Sequence, residues 1–216
     1  MPDQNHPPRN RVTLAPAKPL PHARTPLGDP AWRYVGAPDL EHLGAADWAI
    51  LERQRGLVYR GRAARDALAL LEMQKDDPSY GYHTNMYRHG LEAATRAWRA
   101  GADEEFIVVC LLHDIGYAIA NPTHGEFAAA LLRPYISEAH TWMLRQHQIF
   151  QKFHCHDLPG NDRMAREQFR GHPAFELTAH FVAHYDQNAT DAGYETLPIQ
   201  AFVPLVHRLF ERTPRP

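Results

Sequence analysis

From about residue 44 onward, apolar positions recur every three or four residues, and no alternating strand pattern competes with them. Residues 45–56 read as a helix with Trp48, Ile50 and Leu51 turned inward. Residues 61–73 repeat Ala64, Leu68 and Leu71 at helical spacing, and Asp76-Asp77-Pro78-Ser79 then breaks the chain. A helix is expected over 83–100, ended by Gly101, because glycine readily takes the left-handed conformation that closes a helix. Asp103 then caps an apolar helix that carries Phe106 to His113. Pro122-Thr123 precedes a helix over 124–132, and a longer one covers 137–153. Leu158-Pro159-Gly160-Asn161 reads as a turn. Further helices are expected over 162–169, 173–189 and 198–210, with Pro204 kinking or shortening the last. The predicted fold class is all-α.

The N-terminal stretch follows different rules. Nine of the chain's 18 prolines lie in residues 1–38, and that density forbids regular helix. The expected organisation is an extended Pro-rich arm over residues 1–40 and one helical domain over 41–216.

Charge and composition narrow the function. The 216 residues carry 23 Lys plus Arg against 25 Asp plus Glu, a net charge of -2, which leaves no electrostatic footprint for a nucleic acid polymer. The longest apolar run, residues 106–112, is far too short to span a bilayer, so no membrane partner is expected. Two cysteines cannot build a disulfide framework, and the first residues lack the basic-then-apolar order of a signal peptide. A cytoplasmic protein is the expectation. The 15 histidines are the feature left to explain.

The chemistry concentrates at Val108-Val109-Cys110-Leu111-Leu112-His113-Asp114-Ile115-Gly116. An apolar helix runs straight into adjacent His and Asp, and neither side chain belongs in an apolar core without a partner. A divalent metal is a natural partner, since imidazole and carboxylate both suit Fe, Mn, Zn or Co. His89 lies on the preceding helix, with small residues on its face. His124 opens the next helix, His147 lies within the one after it, and Asp186 follows in Phe181-Val182-Ala183-His184-Tyr185-Asp186.

His89, His113-Asp114 and Asp186 resemble the H…HD…D signature of the HD superfamily, which are all-helical, metal-dependent enzymes. His124 and His147 resemble the two additional histidines that turn a single-metal site into a dinuclear one. The resemblance covers roughly residues 80–210 and implies an HD-domain helical bundle. Within the superfamily the chain looks most like the mixed-valent diiron oxygenases, the group of myo-inositol oxygenase and the phosphonate-cleaving oxygenases. That likeness implies two iron ions, Fe(II)/Fe(III), with Mn, Zn or Co as alternatives. One ion would take His89, His113, Asp114 and Asp186; the other would take His124, His147 and a bridging Asp114. It also implies O2 as co-substrate and oxidative cleavage of a C–C or C–P bond in a small hydroxylated, anionic substrate.

Two departures from that group bear on the substrate. Tyr80 matches a tyrosine near the substrate, but the glutamate that accompanies it there is absent from Tyr80-Gly81-Tyr82-His83-Thr84. The lysine expected one turn after the second additional histidine is Gln151 here, with Lys152 beside it. Asp114, Lys152 and Tyr80 are therefore the candidate catalytic residues. A phosphohydrolase acting on a nucleotide or phosphate ester is the competing reading, because two metals can also hold phosphate and generate hydroxide. No Gly-rich phosphate loop or dense Arg/Lys cluster near the ligands supports it. The sequence leaves the oligomeric state open.

Overall fold

The computed structural model of the protein describes residues 32–59 and 61–215. Among these every regular element is helical and no strand occurs. Most of the expected Pro-rich arm, residues 1–31, lies outside the described residues. Two compact units are distinguished, with the boundary between Val58 and Tyr59.

In the first unit, Asp39 caps a 3-10 turn, Leu40–His42, by accepting from the His42 backbone amide. Helix α1 (Ala45–Tyr59) follows. Trp48, Ile50 and Leu51 do not turn inward as expected: Trp48 is exposed, and the other two are half-buried. The apolar residues of α1 are spread around its circumference instead of forming a stripe, so no single face can be buried. Its buried side chain is Gln54, which pairs both ways with one peptide unit. The Arg33 N–H donates to Oε1 at 2.7 Å, and Nε2 donates to the Arg33 carbonyl at 2.9 Å. Residues 41–58, grouped above with the helical domain, fall in this N-terminal unit.

The second unit is built around one helix. α4 (Glu104–Leu112) is capped by Asp103, whose carboxylate accepts from the Phe106 amide at 2.8 Å. From Phe106 to Leu112 it is buried all round. A helix with no polar face must be enclosed, and α3 (Met86–Arg99), α7 (Glu138–Gln151) and α9 (Ile199–Phe210) pack against it. α2 (Arg62–Met73) buries Ala64, Ala67 and Leu71. α3 starts later than expected because Asn85, and not His83, supplies the cap; its side chain accepts from the Arg88 amide at 3.0 Å. Gly101 ends it with φ 74°, and the Ala102 N–H reaches back to the Ala97 carbonyl at 3.1 Å. After α4 come a short α5 (Tyr117–Ala120), a 3-10 turn at Asn121–Thr123 and α6 (His124–Leu132).

Two C-terminal expectations need correction, and so does part of a third. Residues 162–169 form a 3-10 turn only at Ala165–Phe169. The Asp162 carboxylate accepts from the Met164 amide at 2.9 Å, a local turn that competes with helical bonding. The helix expected over 173–189 is α8 (Phe175–Phe181), after which the chain widens into a π turn, Val182–Asp186. Pro204 does not shorten α9, which runs through it to Phe210. Pro204 removes one backbone donor, while Phe202, Leu205, Val206 and Leu209 anchor the helix in the core on either side. Among the described residues no single helix is long and apolar enough to cross a membrane.

Candidate metal centre

The C-terminus of α4 delivers the first pair. His113 stands at the end of the helix, and Asp114 begins the turn that leaves it; both are buried. His89 comes from the first turns of α3, His124 is the first residue of α6, and His147 lies within α7. Asp186 ends the π turn. A regular helix that buries Phe181 and Val182 would next present Tyr185 on the same face, at about 3.6 residues per turn. The wider turn, closed by the Gln187 N–H on the Val182 carbonyl at 3.0 Å, gives that place to Asp186 instead.

These six side chains form two groups that could each hold a metal: His89, His113 and Asp186, and Asp114, His124 and His147. In the first, the Nε2 atoms of His89 and His113 lie 2.9 Å apart, and Asp186 Oδ1 is 3.5 and 3.6 Å from them. In the second, the Nε2 atoms of His124 and His147 lie 3.0 Å apart, and Asp114 Oδ1 is 3.0 and 3.2 Å from them. The other Asp114 oxygen, Oδ2, faces the first group at 3.5 Å from His89 and 3.4 Å from His113. One carboxylate thus offers an oxygen to each group.

The outer ring nitrogens explain why this arrangement fits metal ions. Each Nδ1 meets a backbone carbonyl: His89 with Ala189 at 3.0 Å, His113 with Cys110 at 2.8 Å, His124 with Asn121 and His147 with Leu144 at 2.7 Å. A carbonyl only accepts, so every Nδ1 carries its proton and every neutral Nε2 presents a lone pair inward. Lone pairs 3 Å apart repel unless a cation lies between them. Nitrogen and oxygen ligands at about 2.0–2.2 Å from one ion sit roughly 3 Å from each other when adjacent, which is the spacing seen here. Asp114 Oδ1 is buried with no hydrogen-bond partner of suitable geometry. Such an orphan atom demands a ligand.

The electrostatics agree. Burial alone would raise both carboxylates, but His113, His124 and His147 hold Asp114 well below its usual range. His113 and His89 do the same for Asp186. Burial would push the His113 imidazole down, and Asp114 and Asp186 reverse that to lift it well above its ordinary value. Two buried negative charges therefore draw in positive charge. Both Nε2 atoms of a pair cannot carry protons pointing at each other across about 3 Å.

Neighbours of the centre hold it in place. Gly90 lets α3 approach α4: a Cβ there would stand 2.6 Å from the Leu111 carbonyl oxygen. Gly125 does the same for α6 on α7, where a Cβ would stand 2.5 Å from the Leu144 oxygen and 3.1 Å from the His147 ring. Gln151, one turn after His147, donates Nε2 to both Asp186 oxygens, at 3.0 and 2.9 Å. The buried Gln74 donates to the Asp114 carbonyl at 3.2 Å. Gln74, Gly90, Gly125 and the Ala189 carbonyl were absent from the sequence-based site. The dipeptide His-Gly, present at His89-Gly90 and again at His124-Gly125, was the available signal for the two glycines.

Two expected catalytic residues are exposed. Tyr80 is exposed, with a left-handed φ of 55°, and its ring packs 5.8 Å from that of Tyr117. Tyr117 in turn lies 5.1 Å from the His124 ring. Lys152 begins the 3-10 turn after α7 with its side chain exposed.

No family model matches the chain. The chain is similar to a [1-hydroxy-2-(trimethylamino)ethyl]phosphonate dioxygenase (glycine-betaine-forming) of Leisingera caerulea, with 25% identity over 184 residues that cover 72% of this chain and 94% of that enzyme.

Proposed function

We propose that the protein is an O2-dependent oxygenase of HD-domain type, with a dinuclear iron centre that cleaves a C–C or C–P bond in a small hydroxylated substrate. The observation that carries this reading is Asp114, set between two three-residue groups with one oxygen toward each. The similar enzyme supports the choice of chemistry, since it is a dioxygenase for a 1-hydroxyphosphonate and nearly its whole length is matched. Four imidazoles and two carboxylates suit iron, and also manganese, zinc or cobalt.

His89, His113 and Asp186 would hold one ion, His124 and His147 the other, and Asp114 both. When bound, a pair of irons supplies electrons to O2 and a Lewis-acidic seat for the substrate hydroxyl. The protein's own part is geometry and exclusion. The backbone carbonyls lock each imidazole in one tautomer. Gln151 fixes Asp186, and the apolar wall of α4 keeps bulk water out. His89, Asp114 and His124 retain 4–7% exposure while His113 and His147 have none, which marks the side from which substrate would arrive. Tyr117, and Tyr80 packed on it, would line that approach.

Anaerobic loading with iron, followed by O2-uptake measurements on a panel of 1-hydroxyphosphonates and polyols, tests the proposal. Substrate-dependent O2 consumption is expected, with a coupled Fe(II)/Fe(III) signal in low-temperature EPR that changes with substrate. Phosphate release from nucleotides by the Mn or Zn form without O2, with no O2 uptake by the iron form, would establish the hydrolase reading instead.

A further inference from the structure

Buried polar atoms without partners collect in one other place. Among the described residues they occur at Gln74, Asp77, Asp114, His154, Asn161 and Arg166. Three of these six lie between residues 154 and 166, on the segment that leaves α7. A native structure leaves few such atoms, and each needs a water, an ion or a ligand.

The segment folds around the Phe153 ring. The Arg166 guanidinium lies 3.5 Å from the ring centre and that of Arg163 5.3 Å. Arg163 is anchored by donating Nε to the Phe153 carbonyl at 3.0 Å, and it directs an NH2 to within 3.3 Å of His156 Nε2. Asn161 donates to the Lys152 and Cys155 carbonyls at 2.8 Å, and its Oδ1 is left over. The Arg166 side chain is only 13% exposed. Its nearest carboxylate, Glu167, sits 3.4 Å from Nε without a hydrogen bond and is itself gripped by both arms of Arg170 at 2.8 Å. Asp157 and Asp162 flank the segment but are exposed, and Asp162 is engaged with the Met164 amide.

The segment also borders the metal centre. Gln151, which holds Asp186, immediately precedes the 3-10 turn Lys152–His154. Burial and then Arg166 hold the His154 imidazole below its ordinary value, while Asp186 acts on the same ring in the opposite sense. Two arginines pinned on an aromatic ring present both the positive charge and the N–H donors that an oxyanion requires.

We propose that residues 153–166 form a seat for the oxyanionic end of the substrate, a phosphonate, phosphate or carboxylate group. Arg166 and Arg163 would neutralise it, and where the group is a phosphonate or phosphate monoanion its one hydroxyl would donate a hydrogen bond to Asn161 Oδ1 or His154 Nε2. The binding stands on these residues alone; its place in turnover rests on the oxygenase reading. Lys152, a candidate catalytic residue from the sequence, serves the segment through its backbone carbonyl.

Calorimetric titration of inorganic phosphate and of methylphosphonate into the chelator-treated and the metal-loaded protein tests the seat. Saturable binding is expected in both forms. It should weaken by about tenfold or more in Arg166→Gln and recover in part in Arg166→Lys. Arg145→Gln, which alters a pair with Glu126 outside the segment, should leave it unchanged. Arg163→Gln is the second variant, for use if thermal melting shows that Arg166→Gln fails to fold. Binding only in the metal-loaded protein, or binding indifferent to both arginines, would overturn the proposal, because the metals alone would then hold the anion. If arginine-dependent binding persists without any O2 consumption, the seat stands and the oxygenase reading falls. If O2 is consumed and Arg166→Gln leaves the KM for anionic substrates unchanged, the seat is not the substrate's.

Discussion

Asp114 links two groups because its side chain leaves the chain where the helix has just ended. His113 completes α4 and points to one partner set; the next residue sits in a turn and reaches both. Asp114→Ala should therefore lower the metal content, measured by plasma mass spectrometry, from two ions per chain to well below one. His124→Ala or His147→Ala should retain about one ion and lose O2-dependent activity. Gln151 supports a different prediction. Gln151→Leu removes the donor to Asp186, so the ion at His89 and His113 should loosen by roughly 10–100-fold in chelator competition while the other is retained. His113 and Asp114 were legible from the residues themselves, because His-Asp at the end of an apolar helix cannot be buried without a partner; the other four followed from the resemblance to the HD superfamily. Tyr80 and Lys152 were less legible. Their positions depend on loop conformation, a left-handed φ at Tyr80 and a 3-10 turn at Lys152, and apolar spacing carries no information about either.

At the scale of elements, two glycines set how closely the helices approach. Gly90→Ala and Gly125→Ala would each drive a Cβ into a backbone oxygen that cannot yield without moving a helix. Each should cost about 1–3 kcal/mol in urea unfolding, and Gly125→Ala should also weaken the metal at His147, whose ring it crowds. The helices themselves were readable from spacing, since α2, α3, α6 and α7 each carry inward residues three or four apart. Their ends were less readable. Asn85 outcompeted His83 as a cap, and Asp162 turned residues meant for a helix into a local loop. Caps and side-chain turns are decided by single hydrogen bonds, whereas a stripe of apolar residues sums over a whole helix.

For the whole molecule, metal and folding should be coupled. If an ion binds the folded chain only, stripping it from a protein kept in free metal at about 100 times the Kd of one site should lower Tm by roughly 5–10 °C in calorimetry. Acid should act through a second route. Glu105 accepts from the Ser137 amide and His140 at 2.7 Å and from Arg212. Burial alone would raise its carboxyl, but these donors hold it at about 2. Its folded value lies below its unfolded one, so its stabilisation is complete above the ordinary carboxylate range and is lost as pH falls toward 2. Wild type should exceed Glu105→Gln by about 2–3 kcal/mol at neutral pH. Urea titrations between pH 7 and 3 should show that gap narrowing below about pH 4.5.

The π turn at Val182–Asp186 sets stability against activity. It holds one residue more than a regular turn, and each residue rotates a helix by about 100°. Closing the same residues into an ordinary helix would bond α8 better than before, and it would swing Asp186 away from His89 and His113. Deleting Ala183 separates the two effects, because Asp186 then falls on the inward position of a regular helix. That shortened chain should melt at a higher temperature in its metal-free form and still hold an ion at His89 and His113, as chelator competition would show.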